Sequence, residues 1–276
     1  MTYLFSDEGR LALRALASRP ILYAFDFDGT LARISPDRDT VKLSQSIYEG
    51  LSELANRLPC AIVSGRALSD LASRIDGAVP HLIGNHGLES PFTAPATLIQ
   101  AEKICEGWMQ RLRTEFIQPL KDYGAEVENK RYTLTLHYRG ADEPARVRMA
   151  ALVLLLNQLA PTPRLIFGKA SVNVLPPGEG GKGPAVLALM RHLRQTGLFF
   201  IGDDETDEDV FELTEGLAMG VRVGPHEKSR AKYFINHQGE IKDILCFLIQ
   251  CIDRTPESSA VGESDMIGTE KRADDR

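Results

Sequence analysis

The chain lacks a basic excess, and that absence argues against nucleic acid as a partner. Over 276 residues, Lys and Arg number 32 against 38 Asp and Glu, a formal net charge of −6, whereas a protein that meets nucleic-acid phosphates needs a basic face. An acidic chain can still grip one phosphate if a few cations are placed locally. Cysteine is scarce as well: the four, Cys60, Cys105, Cys246 and Cys251, contain no CxxC pair, which gives neither a zinc-ligand pattern nor a disulfide framework. Cys60, Cys246 and Cys251 fall in apolar stretches and read as reduced core residues of a cytoplasmic protein. No apolar run is long enough to cross a bilayer, so no membrane partner is expected. Met1 to Arg19 carries Asp7, Glu8, Arg10 and Arg14 among its leucines, which is not the apolar core of a signal peptide. There is no internal repeat.

What is present is ordinary globular material, 43% hydrophobic and 25% charged, enough for one large domain or two smaller ones. Ile21-Leu22-Tyr23-Ala24-Phe25 is a short apolar run ending in Asp26-Phe27-Asp28-Gly29-Thr30, and it predicts a buried strand followed by a tight turn. Ile47, Leu51, Leu54 and Leu58 share a helical face ahead of the strand-like Cys60-Ala61-Ile62-Val63. A further helix, with Leu68, Leu71 and Ile75, leads to His81-Leu82-Ile83 and the loop Gly84-Asn85-His86-Gly87. Fully apolar strands alternating with helices predict an α/β fold with a parallel sheet covered on both faces.

The middle of the chain differs. A long helix (Ile104, Trp108, Leu112, Phe116) precedes a segment in which Tyr132, Leu134, Leu136 and Tyr138 alternate with Thr133, Thr135 and His137, the pattern of a sheet with one wet face. A helix over 146–159 and short strands at 165–167 and 172–175 complete an α+β block. The expected organisation is therefore a first core part over 1–91, an inserted block over 92–178, a second core part over 179–253, and a polar tail over 254–276. That tail holds too little apolar surface to offset the entropy of ordering and is expected to be disordered.

Four clusters lie beyond strands or at a helix start: Asp26/Asp28/Thr30, Ser64, Lys182 and Asp203/Asp204. In an open parallel sheet, residues past the carboxyl ends of the strands converge on one crevice. Asp26 and Asp28, two apart in extended chain, place both carboxylates on the same side and would repel unless a cation lay between them. Gly180-Gly181-Lys182-Gly183 at a helix start suits an anion. Taken singly, each has a plainer reading: an Asx-type turn for Asp-x-Asp-Gly, a helix cap for Ser64, a solvated cation for Lys182, and an N-capped helix start for the acidic loop. Their joint appearance in this order carries the functional reading.

In that order the clusters resemble the four motifs of the haloacid dehalogenase superfamily of phosphohydrolases, over roughly residues 20–250. The forms Asp26-Phe27-Asp28-Gly29-Thr30, Ser64-Gly65-Arg66, Gly84-Asn85-His86-Gly87 and Gly202-Asp203-Asp204-Glu205-Thr206-Asp207-Glu208-Asp209 resemble the trehalose-6-phosphate phosphatase family more narrowly. The resemblance implies a Rossmann-like core with a parallel sheet and an inserted α/β cap domain that closes over a sugar phosphate. It implies that Asp26 is the nucleophile, giving an aspartyl phosphate, and that Asp28 is the general acid and base. Mg²⁺ would be held through Asp26, Asp28, Asp203 and Asp204. Thr30, Ser64 and Gly65 would meet the phosphoryl group, with Lys182 offsetting its charge. Arg66, Asn85, Glu128, Lys130 and Lys169 would hold phosphate oxygens and sugar hydroxyls. Functional pairing with a trehalose-6-phosphate synthase is also implied. Without the resemblance, Glu128 and Lys130 read as a surface ion pair.

The underlying chemistry stands independently, since a carboxylate can accept a phosphoryl group and Mg²⁺ prefers oxygen ligands. One departure concerns the substrate: the family usually carries an acid and then a base just before proline, where this chain has Asn173-Val174-Leu175-Pro176. The competing readings are a phosphatase for another sugar or glycoside phosphate, a phosphosugar mutase, and a catalytically silent sugar-phosphate-binding domain. Removing everything after Arg254 is expected to leave the melting temperature and turnover nearly unchanged. A fall of several degrees, equivalent to about 1 kcal/mol or more in a domain of this size, would show that the tail docks.

Overall fold

The computed structural model describes residues 1–16, 19–35, 37–122, 124–138, 150, 152–168, 171–178, 180–217 and 219–253. Its strands are β1 (Thr2–Tyr3), β2 (Ile21–Phe25), β3 (Cys60–Val63), β4 (His81–Ile83), β5 (Ala125–Asn129), β6 (Leu134–Tyr138), β7 (Arg164–Gly168), β8 (Ser171–Leu175), β9 (Gly197–Gly202), β10 (Met219–Val223) and β11 (Tyr233–Ile235). Seven of them form one parallel sheet in the order β1-β11-β10-β9-β2-β3-β4, the α/β architecture expected from the sequence. Alternate side chains of β2, the strand beside the central β9, feed two cores. Ile21, Tyr23 and Phe25 pack with Leu51, Leu54, Leu245 and Leu248 on one face, while Leu22 and Ala24 pack with Val186, Leu189, Phe200 and Phe211 on the other. Being covered on both sides is what makes these strands apolar throughout rather than alternating.

The remaining four strands form a separate antiparallel sheet, β5-β6-β8-β7. Leu134, Leu136, Tyr138, Val172 and Val174 point to one face and pack against Trp108 and Leu112 of the helix Pro95–Thr114 and against Leu152 and Leu156. The opposite face carries Glu128, Thr135 and Asn173 in one cross-strand row. Among the described residues, no helix is long and apolar enough to cross a membrane.

Three local expectations change. The Thr133/Thr135 face is polar but not wet: both threonines are buried, because this face turns toward the carboxyl edge of the seven-stranded sheet, where Thr133 Oγ1 donates to Asn85 Oδ1 at 2.5 Å. Strand β5 went unrecognised since Ala-Glu-Val-Glu-Asn has no apolar run, and its place is set by pairing with β6. The two-residue β1 gains its order only by pairing with β11. Of the helix expected over 146–159, residues 150 and 152–156 are helical; residues 146–149 and 151 lie outside the described residues, as do Arg139, Lys169 and the tail 254–276.

Trp108 is fully buried in the core beneath the four-stranded sheet, and its Nε1 donates to the Pro161 carbonyl at 3.1 Å. Trp108→Ala is expected to lower the free energy of unfolding by about 3–5 kcal/mol through the cavity and the lost bond. Ile99→Ala, at a side chain 69% exposed on the same helix, should change it by less than about 0.5 kcal/mol. Equal effects in urea denaturation would show that the packing assignment is wrong.

Candidate active site

Asp26 follows β2 directly and its amide still bonds to the Ile201 carbonyl of β9 at 2.9 Å, so the adjacent strand ends deliver their next residues to one place. Gly29, at φ +81°, turns the chain back, with its amide donating to the Ala32 carbonyl at 2.8 Å. A β-carbon on Gly29 would lie 2.2 Å from Asp203 Oδ2. The turn therefore needs glycine both for its left-handed backbone and to let the Asp203 carboxylate approach.

Lys182, the first residue of the helix Lys182–His192, is 2% exposed and donates to Asp26 Oδ1 and Asp207 Oδ1, both at 2.7 Å. Asp207 is fully buried, and its Oδ2 accepts the amides of Asp203 (3.0 Å) and Asp204 (3.1 Å). Burial alone would push the Lys182 ammonium toward neutrality, but Asp207 and Asp26 more than reverse this and keep it cationic. Burial holds the Asp26 carboxyl well above its ordinary range; Lys182 opposes the shift, and Asp207 and Asp203 add to it.

Asp26, Asp203 and Asp207 each place a carboxylate oxygen within 4.8 Å of the others, all three buried. Nearby in sequence, Thr30 Oγ1 is buried with no hydrogen-bond partner among the described residues. This donor set fits a hard divalent cation. Within this cluster Asp207 bonds Lys182 through Oδ1 and two amides through Oδ2, and Asp26 shares the same ammonium.

The other expected residues divide. Arg66 holds Asp28 in a bidentate pair, Nε to Oδ2 and Nη2 to Oδ1, each 2.7 Å, and donates through Nη1 to Asp70 at 2.8 Å. Burial works against the Arg66 charge, but Asp28 and Asp70 outweigh it. Ser64 is buried and its Oγ accepts the Arg66 amide at 3.2 Å. Lys130 is no surface residue: its Nζ donates to the Gly65 carbonyl at 3.0 Å, and burial lowers its pKa against the pull of Glu128 and Asp28. Asn85 is buried with its amide fully engaged, donating to Glu89 at 2.6 Å and the Lys130 carbonyl at 3.1 Å while accepting from Thr133. Asp204 lies apart from the acidic cluster: it caps the turn Glu205–Asp207, accepting from the Glu205 amide at 2.9 Å. Lys169 is outside the described residues.

Asp207 is the residue sequence reasoning passed over. Its signal was a spacing of four from Asp203, hidden in a loop where six of eight residues from Asp203 through Val210 are acidic. Only the single turn Glu205–Asp207 sorts which carboxylates point inward. His86, beside Asn85 at φ +55°, packs its ring against Gly65 and has both nitrogens buried without a hydrogen-bond partner among the described residues. Burial, with Lys130 and Lys182 nearby, holds it neutral.

Known proteins resemble this chain in sequence and fold. A family model described as trehalose-phosphatase matches residues 24–238. A trehalose-phosphate phosphatase of Mycobacterium tuberculosis (strain ATCC 25618 / H37Rv) is 33% identical over 225 residues, covering 78% of this chain and 54% of the relative. The chain thus spans about half the length of the mycobacterial relatives it matches. Probable trehalose-phosphate phosphatase H of Arabidopsis thaliana is 29% identical over 256 residues, covering 84% of this chain and 72% of the relative. Among solved structures, the C-terminal domain of C. albicans trehalose-6-phosphate phosphatase superposes with a TM-score of 0.70 at 22% identity, covering 91% of this chain and 98% of that one. At that identity the likeness speaks to fold.

The raised Asp26 pKa sets the sign of a metal test. Without a cation, a carboxyl whose folded-state pKa is raised contributes stability at low pH that is lost as pH rises through that value. A bound cation replaces the proton, so the rise in melting temperature on adding Mg²⁺ should grow with pH. At about 100 times the dissociation constant the added stability is about 2.7 kcal/mol. Asp203→Asn should remove most of the shift, and a shift of unchanged size in that variant would exclude the acidic cluster as the site.

Proposed function

Because the chain belongs to the trehalose-phosphatase family, we propose that it hydrolyses trehalose 6-phosphate to trehalose and phosphate, with Mg²⁺ bound at the Asp26/Asp203 cluster and an aspartyl phosphate on Asp26. The observation that carries this reading is the buried Lys182 ammonium clamped between Asp26 and Asp207. It fixes a carboxylate oxygen at the carboxyl end of β2 and supplies positive charge where a phosphoryl group would meet it.

In the first half-reaction an Asp26 oxygen attacks phosphorus and the bond to the sugar oxygen breaks. The leaving alkoxide takes a proton from Asp28. Water then attacks the phosphorus of the acyl phosphate, giving its proton to Asp28, and the bond to Asp26 breaks to restore the carboxylate. A bound Mg²⁺ supplies charge neutralisation for the phosphoryl oxygens. Arg66, now holding Asp28, has the fork geometry to exchange that carboxylate for phosphate oxygens, which frees Asp28 for proton transfer. Ser64 and Thr30, both buried at the same edge, are suited to hydrogen-bond the transferred group.

The four-stranded sheet and its helices act in this reading as a cap. Its polar face supplies Glu128 and Lys130 for sugar hydroxyls, while the core supplies the chemistry. Asn173 favours a second reading confined to the substrate. It is buried, accepts from Thr135 Oγ1 at 2.9 Å, and lies beside the apolar Leu175, so the charge pair usual in the family is missing and another sugar or glycoside phosphate would fit.

Phosphate release from a panel of sugar phosphates, with Mg²⁺ or with chelator, tests both. Trehalose 6-phosphate is expected to give the highest kcat/KM, activity to vanish in chelator, and Asp26→Asn to be inactive because it keeps the shape without the nucleophile. Full turnover by Asp26→Asn would overturn the mechanism. A different best substrate would overturn only the sugar assignment.

A further inference from the structure

Arg38 belongs to none of the sequence motifs, yet it reaches the polar face of the second sheet from the first. It sits in the turn Arg38–Thr40, after the catalytic turn, in a loop whose Asp37 side chain caps the Asp39 amide at 3.1 Å. Its Nη1 donates to Glu128 Oε2 at 2.7 Å and also meets His137 Nε2. His137 Nε2 in turn lies 2.8 Å from the same Glu128 oxygen. The main-chain carbonyl of Arg38 accepts from Arg66 Nη2 at 3.4 Å, and that guanidinium holds Asp28.

Two features give this bridge meaning. First, Arg38 and Glu128 have side chains 42% and 39% exposed, so their pairing adds little stability, and a structural purpose does not account for it. Second, the Glu128 contacts found among the described residues fall on Oε2, which leaves the lone pairs of Oε1 for a ligand. Burial would raise the Glu128 pKa, but His137, Lys130 and Arg38 together hold it at about 2, so the acceptor is charged throughout the working range.

We infer that Arg38 is a specificity-determining positioning residue, which clamps Glu128 across the crevice as an acceptor for a hydroxyl of the leaving sugar. The same residue ties that acceptor to Asp28 through Arg66, so hydroxyl recognition and the acid–base group share one connected set of contacts. The inference rests on the sugar-phosphatase reading above.

The test is a double-mutant cycle on the full chain with Mg²⁺. Wild type, Arg38→Gln, Glu128→Gln and the double variant are assayed on the wild type's best sugar phosphate and on p-nitrophenyl phosphate, which has no sugar hydroxyl. Each single variant should lose about tenfold or more in kcat/KM on the sugar phosphate and severalfold less on p-nitrophenyl phosphate. The double variant should lose little beyond Glu128→Gln alone, since Arg38 acts through Glu128. Arg38→Lys, which keeps the charge, should recover part of the loss, and Arg38→Met, which keeps the stem without the charge, serves in place of Arg38→Gln should that variant not fold. Additive losses, or equal losses on both substrates, in a wild type that prefers a sugar phosphate would overturn the inference alone. A wild type with no preference for any sugar phosphate would overturn the underlying reading and the inference together.

Discussion

A lysine ammonium almost wholly removed from water is sustainable only where carboxylates meet it, and the rest of this site depends on how Lys182 is met. Asp26 and Asp207 close on it from the ends of adjacent strands, β2 and β9, each at 2.7 Å. Breaking such a buried arrangement by removing one partner costs about 3–5 kcal/mol, because the other charge is left uncompensated. The surrounding backbone is shaped to permit it. A β-carbon on Gly202 would lie 2.4 Å from the Asp207 carboxyl carbon, so the strand must end in glycine for Asp207 to fold in beneath the two amides it accepts.

The second sheet completes the crevice through a small number of specific contacts. Asn85, in the left-handed region at φ 47°, is placed there by the turn after β4. From that position it accepts from Thr133 and donates to the Lys130 carbonyl, while Lys130 itself reaches back to the Gly65 carbonyl. The engaged amide of Asn85 joins the two sheets. In the proposed function, phosphate-gripping groups come from the parallel sheet and hydroxyl-facing groups from the antiparallel one, which separates chemistry from selectivity.

The sequence was legible where local grammar and burial agree. Ile21–Phe25, Cys60–Val63 and the strand ending in Gly202 are apolar throughout because both faces are covered, and each lies in the expected parallel sheet. The positions of Asp26, Ser64, Lys182 and Asp203 at the carboxyl edge follow from that topology. Legibility failed where partners are remote. Glu128 and Lys130 looked like a surface pair because Arg38, His137 and Gly65, which they meet, lie far from them along the chain or across the sheet. Thr133 and Thr135 looked solvent-facing because period-two alternation reports a polar face without saying what covers it.

The sequence by itself determined which strands are buried, that aspartates, a serine and a lysine would stand at their ends, and that glycine would permit the turn at position 29. Tertiary structure alone decided that Asp207 rather than Asp204 closes on Lys182. Carboxylates crowded into one short loop are interchangeable to any local rule, and a single helical turn selects the one that faces the ammonium. It also decided that Arg38 meets Glu128, a pairing across 90 positions, because an ion pair is specified by distance in space and the chain records only distance along itself.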